Sequence, residues 1–318
     1  MTTTTDTATR PPTAIDGAKG TAGSGGAARR DPRPRRVDRT HFMFLIPALV
    51  LFTLAITVPA VTGIFYSFTD SIGFGEFSFV GLNNYLVLFS DPAILSSYGF
   101  TIGVALSTVV LVNVAALALA IGLTSHIRAK TALRTVFVMP MVVSGIIIAF
   151  VFQFIFSNTL PAAAGVLGIG FLEESILANP SLAWIAIVLV TAWQATPQAM
   201  LIYIAALMTV PKDVYEASAI DGASPWKQLR SITLPLISGF VLINVIIGFK
   251  DFLATYEIIV GLTDGGPGTA TRSVAMTIFT GFENGDYAYQ MANSTIFFLI
   301  TLGIALIQLR LTRGSARI

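Results

Sequence analysis

Six long apolar stretches are the feature that most limits what this chain can fold into. Crossing about 30 Å of hydrocarbon requires roughly 20 apolar residues in a helix. The stretches that reach this length are Phe42–Phe68, Thr101–Leu123, Thr135–Phe156, Ala183–Met208, Thr233–Val260 and Met291–Leu311. Charged residues occupy only 11% of the 318 positions, whereas soluble domains average about 25%. The sequence therefore predicts an all-α polytopic membrane protein with six transmembrane helices.

Lysine and arginine are distributed unevenly among the segments that connect these stretches. With both chain ends on one side, 17 of the 19 Lys and Arg residues fall on that side, and only Lys250 and Arg272 fall on the other. Positive residues favour the cytoplasmic side of a membrane. We therefore expect both termini in the cytoplasm, together with the polar segment between the fourth and fifth stretches.

The beginning of the chain differs in composition from the rest. Residues 1–39 are rich in Thr, Ala, Gly, Pro and Arg and contain few large aliphatic side chains. Such a segment cannot bury enough apolar area to offset the entropy lost on ordering. The sequence predicts a disordered cytoplasmic tail at 1–39, followed by one transmembrane domain at 40–318.

A polar, charged segment separates the fourth apolar stretch from the fifth. Its sequence over Tyr215–Ile237 is YEASAIDGASPWKQLRSITLPLI. Pro211 precedes it and suits the first turn of a helix, whereas Gly222 tolerates the left-handed conformation that ends one. The pattern predicts a short helix between these two residues and a second short helix at Ser224–Ser231.

This segment resembles, nearly residue for residue, the EAA loop of permease subunits in ATP-driven ABC importers. Three further stretches are similar to carbohydrate-type permeases, namely WQATPQAMLIYIAALMTVPKDVYEAS, YEIIVGLTDGGPGTAT and FVGLNNYLVLFSDP. Ser218 stands where these permeases usually have a second Ala, which is a small-for-small change. Tyr256 and Glu257 replace their Phe-Asp pair. From about residue 42 to its end, the chain resembles the maltose-permease-like family of binding-protein-dependent ABC sugar importers.

The resemblance implies an ABC type I importer permease fold in the inner (plasma) membrane of a prokaryote. It also implies that residues 211–232, called the coupling segment here, contact the ATPase. Glu216 is expected to face an Arg of that partner, because one charged pair gives a directional anchor. The residues expected to carry this contact are Glu216, Ala217, Ser218, Asp221 and Gly222. The expected partners are a second homologous permease subunit, two ATPase subunits, an external substrate-binding protein, a sugar-like solute and the lipid bilayer, with no nucleic acid.

The chain is not expected to be an enzyme. No stretch matches G-x-x-x-x-G-K-[ST], the pattern that cradles ATP phosphates. We expect no cofactor in this chain, with ATP and Mg bound by the partner subunits, and no catalytic or metal site. The predicted function is translocation of a sugar-like solute (an oligosaccharide, a disaccharide or a glycerol phosphate) into the cytoplasm by alternating access. The alternatives are an ion-coupled secondary carrier and a polytopic membrane enzyme.

Polar residues within the fourth and fifth stretches indicate where a solute could pass. Such residues usually face a bundle interior or a wet cavity, and in the resembling permeases these two stretches line the sugar site. By matching position, the substrate contacts carried over to this chain are Thr191, Gln194, Gln198, Gly248 and Thr255. Asp251 is added because carboxylates make paired hydrogen bonds to sugar hydroxyls. The alternative for each Gln is a contact between helices, which is also our interpretation of Gln153 and Asn293.

Aromatic and charged neighbours complete the predicted site. Trp193, Phe252 and Tyr256 are expected to lie near it and to stack on a sugar ring. Adjacent helix positions point about 100° apart, so Lys250 and Asp251 are expected to have different partners. If the solute is phosphorylated, Lys250 is the expected phosphate contact.

Overall fold

The structure, a computed structural model, describes residues 39–125 and 129–315. Within this part the chain forms helices and loops, with an isolated antiparallel bridge between Thr69 and Phe79. The α-helices are α1 (Arg39–Phe52), α2 (Val58–Tyr66), α3 (Asn83–Ser90), α4 (Pro92–Thr124), α5 (Lys130–Val142), α6 (Gly145–Phe154), α7 (Leu160–Leu167), α8 (Ala183–Met208), α9 (Lys212–Ile220), α10 (Pro225–Gln228), α11 (Leu234–Leu236), α12 (Ser238–Leu253), α13 (Glu257–Thr263), α14 (Val274–Glu283) and α15 (Tyr287–Ser315). Short π-helical segments are Thr53–Thr57, Ile155–Thr159 and Leu229–Thr233. The predicted tail lies outside the described residues except for Arg39, which begins α1.

The described helices agree with the predicted membrane class. The helical runs long and apolar enough to cross a bilayer are Met43–Tyr66, Pro92–Thr124, Gly145–Leu167, Ala183–Thr209 and Tyr287–Arg310. A further pair, Pro225–Leu236 and Ser238–Leu253, passes the same criterion as one span bent by 72°. Counting that pair as a single span gives the six that the sequence predicts. The described residues up to Leu54 form one unit and those from Ala55 onward form a second.

The prediction of a third span at Thr135–Phe156 is wrong in its position. Val143 and Ser144 have extended backbone, which separates α5 from α6. The run that can cross the membrane is Gly145–Leu167. The sequence conceals this break because the residues on both sides of it are apolar, so hydropathy does not change where the helical hydrogen bonds stop.

The fifth predicted span, Thr233–Val260, is not one continuous helix. Ile237 leaves helical geometry with φ −96° and ψ 9° at the 72° bend between α11 and α12. A second interruption separates α12 from α13, where Tyr256 has φ −130° and ψ −57°. Both interruptions are changes in backbone conformation. The first lies in a mostly apolar segment, whereas Lys250, Asp251 and Glu257 flank the second.

Helices α4 and α8 pack along each other and form the centre of the unit that begins at Ala55. Small buried side chains from both helices belong to one cluster and allow the helix backbones to approach closely. They include Ala105, Ala116, Ala120, Ala192, Ala199 and Ala206.

Two hydrogen bonds join α8 to its neighbours. The Tyr203 hydroxyl donates to Asn113 Oδ1 on α4, and Asn244 Nδ2 on α12 donates to Ala199 O at 3.2 Å.

A buried polar cluster joins α15 to the first half of α4. The Tyr98 hydroxyl donates to Asn293 Oδ1 at 2.9 Å, and Asn293 Nδ2 donates to Gln290 Oε1 at 3.2 Å. Asn293 is fully buried. The interpretation of Asn293 as a contact between helices is therefore confirmed.

The two ends of α4 carry different structures. At its first end, Asp91 caps the helix and accepts a hydrogen bond from the Tyr289 hydroxyl at 3.2 Å. At its last end, Thr124 and Ser125 border a groove formed with residues of the coupling segment. A helix of 33 residues is about 50 Å long. The coupling segment thus lies at the opposite end of α4 from α3 and the start of α15.

The close approach of α13 to α6 at Gly261 provides a test of the fold. A Cβ on Gly261 would lie 2.5 Å from Ala149 Cβ and 3.1 Å from Ile146 Cδ1. Because such a contact is too short, α13 has to shift in the variant Gly261→Ala. We expect a lower midpoint of thermal unfolding in detergent, equivalent to about 1–3 kcal/mol of overpacking.

The matched control is Gly103→Ala in α4, where no described atom lies within 4 Å of the added Cβ. Alanine is the better helix former, so the unfolding midpoint of this variant is expected to stay the same or rise slightly. Equal midpoints for the two variants would contradict the packing of α13 against α6.

Candidate functional site

The coupling segment folds into two short helices joined by a tight turn, as predicted. Helix α9 begins directly after Pro211, and Gly222 follows its end with φ +74°. No described atom lies within 4 Å of a Cβ on Gly222, so this glycine is required for its left-handed conformation and not for close packing. Ser224 then caps α10 by accepting a hydrogen bond from Lys227 N at 3.3 Å.

Ser218 ties the two short helices together. Its buried hydroxyl donates to Tyr215 O at 2.8 Å and accepts from Gln228 Nε2 at 2.9 Å. The Tyr215 hydroxyl in turn lies 3.0 Å from Thr233 Oγ1. Serine at this position is as small as the usual alanine, but it makes two hydrogen bonds that alanine cannot make. Helix α9 is therefore held against the helical run that leads into the fifth span.

The opposite face of α9 is open to solvent. Glu216 and Ala217 are exposed, as is the Asp221 residue that follows the helix. Ile220 is 87% exposed. Glu216 makes no ion pair with any described residue. The structure thus leaves a carboxylate and an apolar side chain available to a partner on one short helix.

A cavity of about 500 Å³ lies midway along α8, between the α5–α6 break and the α12–α13 break. We call it the polar cavity. Of the six residues predicted to contact substrate, those that line it are Thr191, Gln194, Gln198, Asp251 and Thr255. Gly248 instead borders a smaller space of about 40 Å³, whose lining shares Gln198 and Asp251. A Cβ on Gly248 would lie 3.1 Å from the Phe252 ring. The structure brings these residues together, and their role as ligands stays a prediction.

Gln194 joins α8 to the α5–α6 break. Its Nε2 donates to Val143 O at 3.0 Å. The extended backbone at this break prevents a regular helical bond, so the side chain supplies the partner that the carbonyl would otherwise lack. The amide nitrogen of Gln194 therefore makes a contact between helices, whereas its oxygen remains on the side of the cavity near Gly145.

Thr191 contributes a hydroxyl that has no partner within the described part of the chain. Only 5% of the residue is exposed, and Oγ1 makes no hydrogen bond there. Thr196, one turn further along the same helix, instead donates to Ala192 O at 2.6 Å. A buried polar group without a partner is unfavourable, and Thr191 is one of the residues that line the cavity.

Glu257 is a cavity residue that the sequence analysis does not predict as a ligand. Its Oε2 lies 3.0 Å from the position that a Cβ on Gly145 would occupy, and Gln194 Oε1 lies 3.6 Å from the same point. Two signals in the sequence mark it, namely its charge inside an apolar stretch and its place in the YEIIVGLTDGGPGTAT motif. Gly145 has no comparable signal, because its importance depends on what packs beside it.

The predicted separation of Lys250 and Asp251 is wrong. Lys250 Nζ lies 3.4 Å from Asp251 Oδ1, with the two side chains 75% and 48% exposed. Adjacent helix positions diverge, but a lysine side chain is long enough to curve back to its neighbour. Lys250 does not line the polar cavity.

Among the described residues, no group of three or more His, Cys, Asp or Glu side chains could hold a metal ion.

The predicted aromatic neighbours divide between two faces of α8. Phe252 and Tyr256 line the polar cavity. Trp193 does not, since it packs edge-on against Phe152 with ring centroids 5.3 Å apart and borders an apolar groove on another face of α8. The prediction for Trp193 is therefore wrong, because one residue along a helix rotates the side chain by about 100°.

Comparisons with known proteins agree with this architecture. A family model described as "Binding-protein-dependent transport system inner membrane component" matches residues 113–314. The chain is 33% identical over 274 residues to the probable starch degradation products transport system permease protein of Thermoanaerobacterium thermosulfurigenes, covering 86% of this chain and 94% of that protein. It is also 33% identical over 272 residues to the multiple sugar-binding transport system permease protein of Streptococcus mutans, covering 85% and 94%.

A solved structure shows the same fold. The crystal structure of a bacterial ABC transporter involved in the import of the acidic polysaccharide alginate contains a chain that aligns with a TM-score of 0.74 and 18% identity. The alignment covers 87% of this chain and 96% of that chain. The predicted ABC importer permease fold is confirmed.

The hydrogen bonds of Ser218 generate a second prediction. Ser218→Ala removes the acceptor for Gln228 and leaves that amide with only a 3.5 Å contact to Tyr215 O. We expect faster amide exchange across α9, corresponding to about 1 kcal/mol, or roughly a fivefold increase in local opening.

The measurement is hydrogen–deuterium exchange on the purified protein, with Ala219→Ser as the control. Ala219 is exposed on the same helix, so this variant changes a small side chain without touching the hydrogen bonds. Identical exchange in Ser218→Ala and in the unmodified chain would show that Ser218 does not hold α9 in place.

Proposed function

The chain belongs to the family of binding-protein-dependent transport system inner membrane components, and from this premise we propose that it imports a sugar or a sugar-like solute. It is a multi-pass inner-membrane permease subunit of an ABC importer. In such importers the ATPase is a separate subunit, which agrees with the prediction that this chain has no ATPase site of its own.

The observation that supports a sugar most strongly is the chemistry of the polar cavity. Its volume of about 500 Å³ falls within the range of roughly 300–1,000 Å³ that is typical of small-molecule sites. Hydroxyl, amide and carboxylate groups line it beside the rings of Phe252 and Tyr256. These groups suit a solute that has many hydroxyls and one apolar ring face. The relatives named for starch products and for multiple sugars support the same solute class.

The coupling segment supports an ATPase as the partner that drives transport. Helix α9 exposes Glu216 and is fixed to the following helices by Ser218. Those helices continue through the bend at Ile237 into α12, which carries Asp251 and Phe252 into the polar cavity. A displacement of α9 by two ATPase subunits would therefore move one wall of the cavity. This arrangement fits alternating access, in which closure of the ATPase subunits exposes the cavity to the outside.

The remaining partners follow from the same function. An external binding protein delivers the solute at the end of α4 that carries α3, and a second homologous permease completes the pathway. Both chain termini and the coupling segment face the cytoplasm, in line with the distribution of Lys and Arg. ATP and Mg are bound by the ATPase subunits and not by this chain.

The contact made by Glu216 gives a functional prediction. Glu216→Ala is expected to lower solute uptake by at least about tenfold, because a charge-assisted contact with the ATPase is lost. ATP hydrolysis by the complex would continue without transport. Uptake of labelled maltose and release of phosphate are measured together in proteoliposomes that contain both permeases, the ATPase and the binding protein.

Glu283→Ala is the matched control, because Glu283 is an exposed carboxylate outside the coupling segment. Its uptake is expected to be unchanged. Normal uptake in Glu216→Ala would refute the proposed contact. Uptake that persists without ATP or without the ATPase would favour an ion-coupled carrier, and chemical conversion of the maltose would favour a membrane enzyme.

The orientation is testable because the chain contains no cysteine. Ala219→Cys places a single thiol on the exposed face of the coupling segment, and Glu76→Cys places one in the exposed loop before α3. With a membrane-impermeant maleimide on intact cells, we expect labelling of the second variant only. On inside-out vesicles we expect labelling of the first. Labelling of Ala219→Cys from outside would reverse the proposed topology.

A further inference from the structure

The polar cavity has an unbalanced charge. Asp251 and Glu257 line it, whereas none of the described Lys and Arg residues does. Asp251 is paired with Lys250, which lies outside the cavity lining. Glu257 makes no ion pair with a described residue. The carboxylate of Glu257 is therefore the charge in this cavity that no neighbouring cation offsets.

Hydrogen-bond acceptors converge beside Gly145. Glu257 Oε2 and Gln194 Oε1 lie 3.0 Å and 3.6 Å from the point where a Cβ on Gly145 would be. The nitrogen of Gln194 is already used, because it donates to Val143 O at 3.0 Å. An ionised carboxylate and an amide oxygen both accept hydrogen bonds and cannot donate them. A solute that enters here must therefore supply donors.

Thr191 provides an independent indication that a solute completes this group. The residue is more than nine-tenths buried, lines the polar cavity, and has an Oγ1 without a partner in the described part of the chain. A threonine within a helix can satisfy its hydroxyl locally, as Thr196 does. Thr191 does not do so, and its hydroxyl is left without a partner in the described part of the chain.

The position of Glu257 also disfavours an anionic solute. Gly145 is the first residue of α6, a helix of 10 residues, and the N–H groups at a helix N-terminus attract negative charge. The carboxylate of Glu257 already lies beside the first residue of this helix. A phosphate or carboxylate of the solute would meet the charge of Glu257 instead. At about 5 Å and an effective dielectric constant near 20, that repulsion corresponds to a loss of affinity on the order of 100-fold.

We infer that Glu257 determines the charge specificity of the polar cavity. It favours sugars that present hydroxyl donors and carry no anionic group, and it disfavours phosphorylated sugars and uronates. The inference rests on the proposed function, since it narrows the solute class of the same cavity. It also replaces the expectation that Lys250 contacts a phosphate, because Lys250 does not line the cavity and is paired with Asp251.

The test uses three pyranoses of similar shape and different charge, namely glucose, glucosamine and glucuronate. Their binding to the purified importer complex is measured by saturation-transfer NMR titration. The unmodified complex is expected to bind glucose on the order of 100-fold more tightly than glucuronate and to accept glucosamine at least as well as glucose. Glu257→Gln is expected to reduce the glucose-to-glucuronate ratio by at least about tenfold.

Three further variants make the result specific. Glu257→Asp keeps the charge and is expected to keep the ratio, whereas Glu283→Gln removes an exposed carboxylate elsewhere and is expected to change nothing. Gly145→Ala crowds the Glu257 carboxylate. It is expected to change the glucose-to-glucuronate ratio without removing the charge. Thermal unfolding of each complex shows which variants are folded, and Gly145→Ala tests the role of Glu257 if Glu257→Gln does not fold.

The possible outcomes separate the two proposals. Equal binding of the three pyranoses to the unmodified complex, or an unchanged ratio in a folded Glu257→Gln complex, overturns the role of Glu257 and leaves the sugar assignment standing. Absence of binding by all three overturns the inference, and absence of maltose uptake as well overturns the sugar assignment. Tighter binding of glucuronate than of glucose reverses the inferred specificity.

Discussion

The hydrogen bond from Gln194 to the carbonyl of Val143 is the interaction on which the polar cavity depends. In hydrocarbon there is no water to replace a missing backbone bond, so an interrupted helix needs a partner inside the protein. Gln194 supplies that partner across 3.0 Å and joins α8 to the end of α5. With its nitrogen held in this way, its oxygen lies beside Glu257 near Gly145. One side chain thus stabilises the break and arranges an acceptor in the cavity.

The second wall of the cavity is connected to the coupling segment by continuous structure. Ser218 and Gln228 hold α9 against α10, and Tyr215 reaches Thr233 at the start of the next helical turn. The chain then bends at Ile237 and continues as α12. Asn244 on α12 donates to Ala199 O on α8. This bond fixes the position of α12 relative to α8, the two helices that form the walls. In the proposed function, these bonds transmit a displacement of α9 to the residues that line the cavity.

Much of the site could be predicted from local sequence features. The polar positions of the fourth stretch, Thr191, Gln194 and Gln198, repeat at helical spacing and do line one cavity. The ends of α9 follow from the conformational preferences of Pro211 and Gly222, which act within a few residues. The break between α5 and α6 could not be predicted, because mostly apolar residues flank it and Gln194, which bonds to the Val143 carbonyl there, is distant in sequence.

The sequence by itself determined that this chain crosses a membrane several times and carries a polar segment between two spans. Both conclusions depend on local quantities, which are the length of apolar runs and the preferences of individual residues. Only the tertiary structure decided that Glu257 meets Gln194 beside Gly145, that Lys250 pairs with Asp251 without itself lining the cavity, and that Trp193 faces away from it. These contacts depend on where helices break and how they rotate against one another, and such geometry is set by packing between segments far apart in the chain.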